Sequence, residues 1–159
     1  VRLAAANTLA DVRPADVADP AFREALEQAF DEYLASERVN ADRAESWVNL
    51  AGFHFRQGRV EEAEQAYEQA RRRNARFVPI YVNQADMYRA LAREEDGERV
   101  LREGLKAVPQ AAVLHHTLGL LLIRSGQPDA AIQRPLRPRL RWPWSPNLFR
   151  VSWKAMIRS

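Results

Sequence analysis

Large and apolar residues recur through the middle of the chain at the three-and-four interval of an amphipathic helix. Trp47, Leu50 and His54 form one such row, and Tyr81, Gln84 and Tyr88 form another. These rows predict helices over residues 44–57, 60–73, 78–91, 94–107 and 111–125, with one more starting near 128. Upstream, Asp19-Pro20 predicts a helix start, with Asp19 as the capping residue and Pro20 in the first turn, where a missing N–H costs nothing. Phe22, Leu26, Ala29, Phe30, Tyr33 and Leu34 give that helix an apolar stripe running to about Val39. Val1 to Ala10 is a candidate partner helix. Asp42 followed by Glu45 predicts a capping box opening the first row, and Pro128 suits a first helical turn.

The rows repeat with a step of 34 residues. Trp47, Tyr81 and His115 fall in register, as do Leu50, Gln84 and Leu118. Ala51, Ala85 and Gly119 form a column of small residues, and His54, Tyr88 and Leu122 a column of large ones. Ala63, Gly97 and Ala131 are again small, Tyr67 and Leu101 large, Ala70 and Gly104 small, and Pro109 ends the second unit where the first has Ala75. Small side chains alternating with large ones are what two closely crossing helix backbones require. Gly58, Ala92 and Gly126 mark the turn inside each unit, and glycine suits a helix C-terminus that needs positive φ. One register earlier, Ala29, Tyr33 and Ser36 occupy the small–aromatic–small columns, so the upstream helix reads as the second helix of a worn preceding unit.

The set Trp47-x-x-Leu50-Ala51-x-x-His54 with Ala63-x-x-x-Tyr67-x-x-Ala70 resembles the tetratricopeptide repeat, and the resemblance runs over residues 44–133. The second unit follows it from Tyr81 to Pro109 with departures at Gln84, Gly97 and Gly104; the third unit's second helix follows it only through Ala131. The resemblance implies an all-α fold, a TPR-like right-handed α-solenoid of stacked antiparallel helix pairs. It divides the chain into a helical extension at 1–43, units at 44–77, 78–111 and an incomplete 112–133, and a tail at 134–159. It also implies binding rather than catalysis, with the first helices of the units lining a concave groove for an extended peptide or a helix of a partner protein. Aligned on the family, that groove would take Val48, Gly52, Phe55 and Arg56 from the first unit and Val82, Asn83, Asp86 and Arg89 from the second. The third would give Val113, His116, Thr117, Leu120 and Arg124. Asn83 would clamp a peptide backbone, because an amide donates and accepts at once. Receptors of chaperone tails in this family grip a terminal carboxylate with a Lys/Asn/Asn/Lys/Arg set. Only Asn83 matches, with Val48, Gly52, Val113 and Thr117 in the other places, so that subclass is rejected. The alternative is a solvated inner face, with partners bound elsewhere.

Composition narrows the classes further. The 159 residues include no cysteine, which excludes a disulfide scaffold, thiolate metal sites and cysteine nucleophiles. Six glycines without a Gly-rich loop argue against a nucleotide-binding α/β fold. No apolar run approaches the roughly 18 residues of a membrane span, and the N-terminus lacks a signal pattern, so a soluble protein of cytoplasm or periplasm is expected. A chain that starts on Val1 reads as a fragment of, or a product processed from, a longer polypeptide. Arginine outnumbers lysine 22 to 2, a bias expected of a GC-rich, bacterial genome.

The net charge of +3 divides unevenly: residues 1–133 hold 17 Lys+Arg against 21 Asp+Glu, whereas 134–159 hold seven basic residues and no acidic one. The register fails at the same place. Pro135 and Pro138 stand where an aromatic and a small residue are needed, and an interior proline costs a helix about 3 kcal/mol. Three readings of this Trp- and Pro-rich stretch stay open: a solvated tail, a non-native out-of-frame or vector-derived end, or a basic–aromatic segment for nucleic acid or an anionic surface. Arg137, Arg139, Arg141, Trp142, Trp144 and Trp153 would carry the last by phosphate pairing and stacking, and Phe149 to Ile157 is its best candidate for an ordered element. A solenoid also needs a polar cap on its last unit. A third unit cut short leaves Leu114, Leu118, Leu121, Leu122 and Ile123 thinly covered, so either the tail folds back over them with Trp142 or Trp144 or a second chain does, which predicts self-association or domain swapping through the C-terminal repeat.

Candidate chemistry is sparse. His115 and His116 are adjacent, so on a helix they diverge by about 100° and share a metal poorly. His54 reads as a partly buried packing residue. Neither HExxH nor a serine elbow is present. Glu61, Glu62, Glu94, Glu95 and Asp96 sit at helix starts, where the macrodipole favours negative charge. Arg71, Arg72, Arg73 and Arg76 gather at a helix end as a candidate anion site. No enzyme activity, metal, cofactor or small-molecule substrate is expected.

Overall fold

A computed structural model describes residues 2–126. The described residues form α1 (Arg2–Thr8), a short 3-10 turn (Pro14–Asp16), α2 (Pro20–Val39), α3 (Ala44–Arg56), α4 (Val60–Arg73), α5 (Pro79–Ala90), α6 (Glu94–Ala107) and α7 (Ala112–Arg124), with no strand among them. The periodic rows therefore become helices within a residue or two of their predicted ends. The helix expected near Pro128, the Ala131 column, the prolines at 135 and 138, and the whole tail with its Phe149–Ile157 element lie outside the described residues.

Turns too short for any other path fold α3 back on α4 and α5 back on α6 as antiparallel hairpins. The pairs stack: α3 touches α5, α5 touches α7, and α4 and α6 each contact the first helix of the next unit. One core cluster runs through α3 to α7, with Ile80, Tyr81, Met87, Leu101, Leu114 and Leu122 fully buried. The small columns sit at its tightest crossings. A Cβ added at Gly104 would lie 2.6 Å from Cγ of Tyr81 and 3.0 Å from Cδ1 of Leu114. At Gly97 it would meet Leu121 Cδ1 at 3.2 Å and the Ala85 carbonyl oxygen at 3.5 Å. Ala51 and Ala85 are buried against their neighbours. Gly119, one step further on, meets nothing within 4 Å among the described residues.

Gln84, the polar member of the leucine column, is 3 % exposed and satisfied at both ends of its amide. Arg71 donates to its oxygen at 2.6 Å, and its nitrogen donates to the Tyr88 hydroxyl at 3.3 Å. Arg71 in turn pairs with Glu68 at 2.9 Å and reaches Glu103 at 3.7 Å, so the network ties α4, α5 and α6.

The turn column behaves as its register requires. Gly58 and Gly126 have φ of +75°, and Ala92 has φ of +54°. Beyond the turn the Arg59 N–H donates to the His54 carbonyl at 2.9 Å, and the Arg93 N–H to the Tyr88 carbonyl at 2.8 Å. The same closing bond is thus made once around glycine and once around alanine.

Asp19 caps α2 as predicted, its carboxylate accepting from the Ala21 N–H at 3.0 Å with Pro20 next in line. The capping box at Asp42 and Glu45 does not form. α3 starts one residue later than that box needs, so Arg43 is its N-cap and makes no side-chain cap, while Glu45 reaches Arg43 at 3.8 Å. Phe22 leaves the α2 stripe and is 47 % exposed; the buried face begins at Leu26. The N-terminal pair α1–α2 has its own cluster of Ala6, Ala10, Leu26, Ala29, Phe30 and Tyr33. Phe53 of α3 completes it, meeting Phe30 edge-on at 5.0 Å and Tyr33 at 5.2 Å between ring centres.

Candidate functional site

The first helices α3 and α5, together with α1 and α2, wall a cleft of about 670 Å³. It gathers Val48, Gly52, Phe55 and Arg56 from α3 and Asn83, Asp86 and Arg89 from α5. Four of these positions project from one side of α3 because they fall on a 48–52–55–56 row, a single helical face. The other predicted positions lie elsewhere. Val82 is half-buried against the core. His116, Leu120 and Arg124 of α7 are exposed and do not line this cleft, and Val113, Leu120 and Ile123 are 47, 45 and 58 % exposed. Arg124 instead helps to line a second hollow of about 750 Å³ with Arg93, Glu94 and Ser125, and Arg89 borders both.

The charges inside the cleft are largely spoken for. Arg56 donates to the Asn7 carbonyl at 2.8 Å and also to the Asn7 side-chain oxygen, which fastens α1 over the end of α3. Gln57, itself buried, adds a bond to the Val12 carbonyl at 3.2 Å. Arg89 pairs with Asp86 at 3.2 Å. Asn49 donates to Glu37 at 3.2 Å. Burial, then the neighbouring Glu37, holds the Tyr33 hydroxyl above its ordinary pKa, and burial with Asp86 does the same for Tyr67. Both phenols therefore stay neutral. Asn83 is exposed, and its amide has no hydrogen-bond partner among the described residues. The cleft thus presents apolar surface, one open amide, the Asp86–Arg89 ion pair, and Arg56 and Glu37 bonded to asparagines.

Several lining residues escaped sequence reasoning. Leu3, Ala4 and Asn7 come from α1, Tyr33 and Glu37 from α2, and Tyr67 from α4. Asn49 could have been found, because it lies one step of the repeat before Asn83.

The remaining candidates are accounted for locally. His54 borders a separate hollow of about 610 Å³ with Trp47, Leu50 and Glu62. Its Nδ1 is buried without a partner among the described residues, and burial, then Arg59, holds its pKa below the ordinary value. The arginines ending α4 do not converge on an anion. Arg71 binds Gln84 and Glu68, Arg72 binds Glu68, and Arg73 binds the Ala41 carbonyl and lies 5.0 Å over the Trp47 ring. Among the described residues no group of His, Asp or Glu could hold a metal ion, and no helix is long and apolar enough to cross a membrane.

Residues 44–76, the span of α3, α4 and the turn beyond, match the family model described as Tetratricopeptide repeat. No curated protein matches the chain.

Proposed function

We propose that this chain, which carries a tetratricopeptide repeat over residues 44–76, is a non-catalytic scaffold that recognises a segment of another protein. Repeats of this family serve protein–protein interaction, and the finer reading is that a peptide or helix lies in the cleft between α3 and α5. The observation that carries it is the open amide of Asn83 on a wall whose charged side chains are already bonded within the fold. An exposed amide beside apolar surface suits a peptide backbone, which needs a donor and an acceptor together. The alternative reading assigns binding to nucleic acid or an anionic surface, supported by the concentration of positive charge in residues 134–159.

One pair of variants separates the two. Asn83→Ala with Arg89→Ala should weaken capture of protein partners roughly tenfold, the effect of losing one or two well-placed polar contacts. Deleting residues 134–159 should leave that capture intact. The reverse pattern, with salt-sensitive RNA or DNA binding lost on deletion, would select the alternative. Of the α7 residues expected to lie thinly covered, Leu114, Leu118, Leu121 and Leu122 are buried against α5 and α6 and Ile123 is exposed; we therefore read the row of Val113, Leu120 and Ile123 as the face for a second copy of the chain.

A further inference from the structure

The glycines of this array have reasons internal to the fold, with one exception. Gly58 and Gly126 hold positive φ. Gly97 and Gly104 admit side chains that a Cβ would strike. Gly119 also meets nothing within 4 Å among the described residues, but it stands in register with the buried small residues Ala51 and Ala85. Gly52 has none of these reasons. It lies inside α3, its φ is not positive, and a Cβ there would meet nothing within 4 Å. A mid-helix glycine costs about 1 kcal/mol against alanine, and here no packing contact requires it. What it does is leave the α3 backbone bare on the wall of the cleft.

We infer that Gly52 is the floor of a subsite that takes one bulky apolar side chain of a bound peptide, and so sets the register and specificity of the groove. This rests on the groove reading above. The chemistry follows from what surrounds the floor. Val48, Phe55 and Leu3 supply apolar walls. Arg56 is held by Asn7, Asp86 by Arg89, and Glu37 accepts from Asn49, so the charged side chains around the floor are already engaged within the fold. The open amide of Asn83 takes the peptide backbone beside the anchor. The subsite occurs once, because the next two units place Asp86 and Leu120 at the equivalent positions. Each adds a side chain where Gly52 leaves space.

The test uses the full chain and an array of peptides, random except for one central position fixed as Ala, Leu, Phe, Trp, Glu or Lys. Wild type should favour Leu, Phe or Trp over Ala by roughly tenfold, the effect of burying a large apolar side chain. Gly52→Leu fills the floor with the residue of the third unit. It should erase that preference while keeping or raising the melting temperature, since it adds a good helix former into open space. Gly52→Ala, the smallest filling, should lose part of the preference. A wild type that favours small or charged centres, or a Gly52→Leu chain with the preference intact, overturns the subsite. If that happens while Asn83→Ala with Arg89→Ala abolishes peptide binding, the groove stands and the subsite alone falls. If both sets of variants bind as wild type, or wild type binds no peptide, both readings fall.

Discussion

A single position in one column can carry three different chemistries. His54, Tyr88 and Leu122 stand in register, yet their neighbours differ. Arg93 lies 4.6 Å over the Tyr88 ring, where positive charge on an aromatic face is favourable. Its counterpart Arg59 opposes protonation of His54, whose buried Nδ1 would also become a donor with no acceptor. The folded chain therefore binds a proton at His54 more weakly than the unfolded chain, whose histidine titrates near 6.5. Stability is unaffected by this group well above that pH and is lost as pH falls through and below it. His54→Leu, which copies Leu122, should flatten this part of the dependence. Urea midpoints at pH 7.5 and 5.5 should differ less in the variant than in wild type; an equal difference would refute the assignment. Sequence reading reached the packing role of His54 because its register partners are large. It could not reach the bonds that Trp47, Tyr81 and His115 make to the carbonyls of Ala41, Ala75 and Pro109, at 2.7, 2.7 and 2.9 Å. Indole, phenol and imidazole share no pattern of side-chain type. Each nonetheless spans six residues back to the linker before its helix.

Helices were legible because their periodicity is local and repeated; their caps were not. Asp42 and Glu45 have the right spacing for a capping box, but the chain enters α3 at Arg43, and a shift of one residue moves both carboxylates off the orphan N–H groups. Turns were legible where glycine announces them. At Ala92 the register alone placed the turn: it adopts φ of +54°, a left-handed conformation that costs an L residue about 1–2 kcal/mol. Ala92→Gly should stabilise the chain by about 0.5–1 kcal/mol, the relief of strain less the added freedom of the unfolded chain. Thermal unfolding read by circular dichroism would register this as a higher melting temperature. A lower one would mean the turn tolerates alanine without strain.

At the scale of the molecule, the stack of hairpins followed from one step length, while the outline of the cleft did not. Val48, Phe55, Asn83 and Asp86 could be placed because the resemblance to the tetratricopeptide repeat assigns the facing positions of each unit's first helix. Leu3, Ala4 and Asn7 enter through contacts that span far greater separations, such as Arg56 to Asn7, and no periodicity encodes those. The unmatched residues of α7 point to the same limit, since a groove wall needs a neighbour on its far side. Leu120→Glu with Ile123→Glu should therefore abolish concentration-dependent self-association in light scattering, and a wild type that stays monomeric at high concentration would remove that contact from consideration. Phe53 carries the remaining lesson. Its ring belongs to the cluster of the leading pair, while Met87, its counterpart in the next unit, belongs to the main core. A fragment trimmed to the recognised motif at residue 44 would keep every hairpin yet carry a naked aromatic on its end helix. Sequence-defined boundaries would thus yield a stickier preparation than the intact chain, and the leading pair is better regarded as the array's sheath than as an appendage.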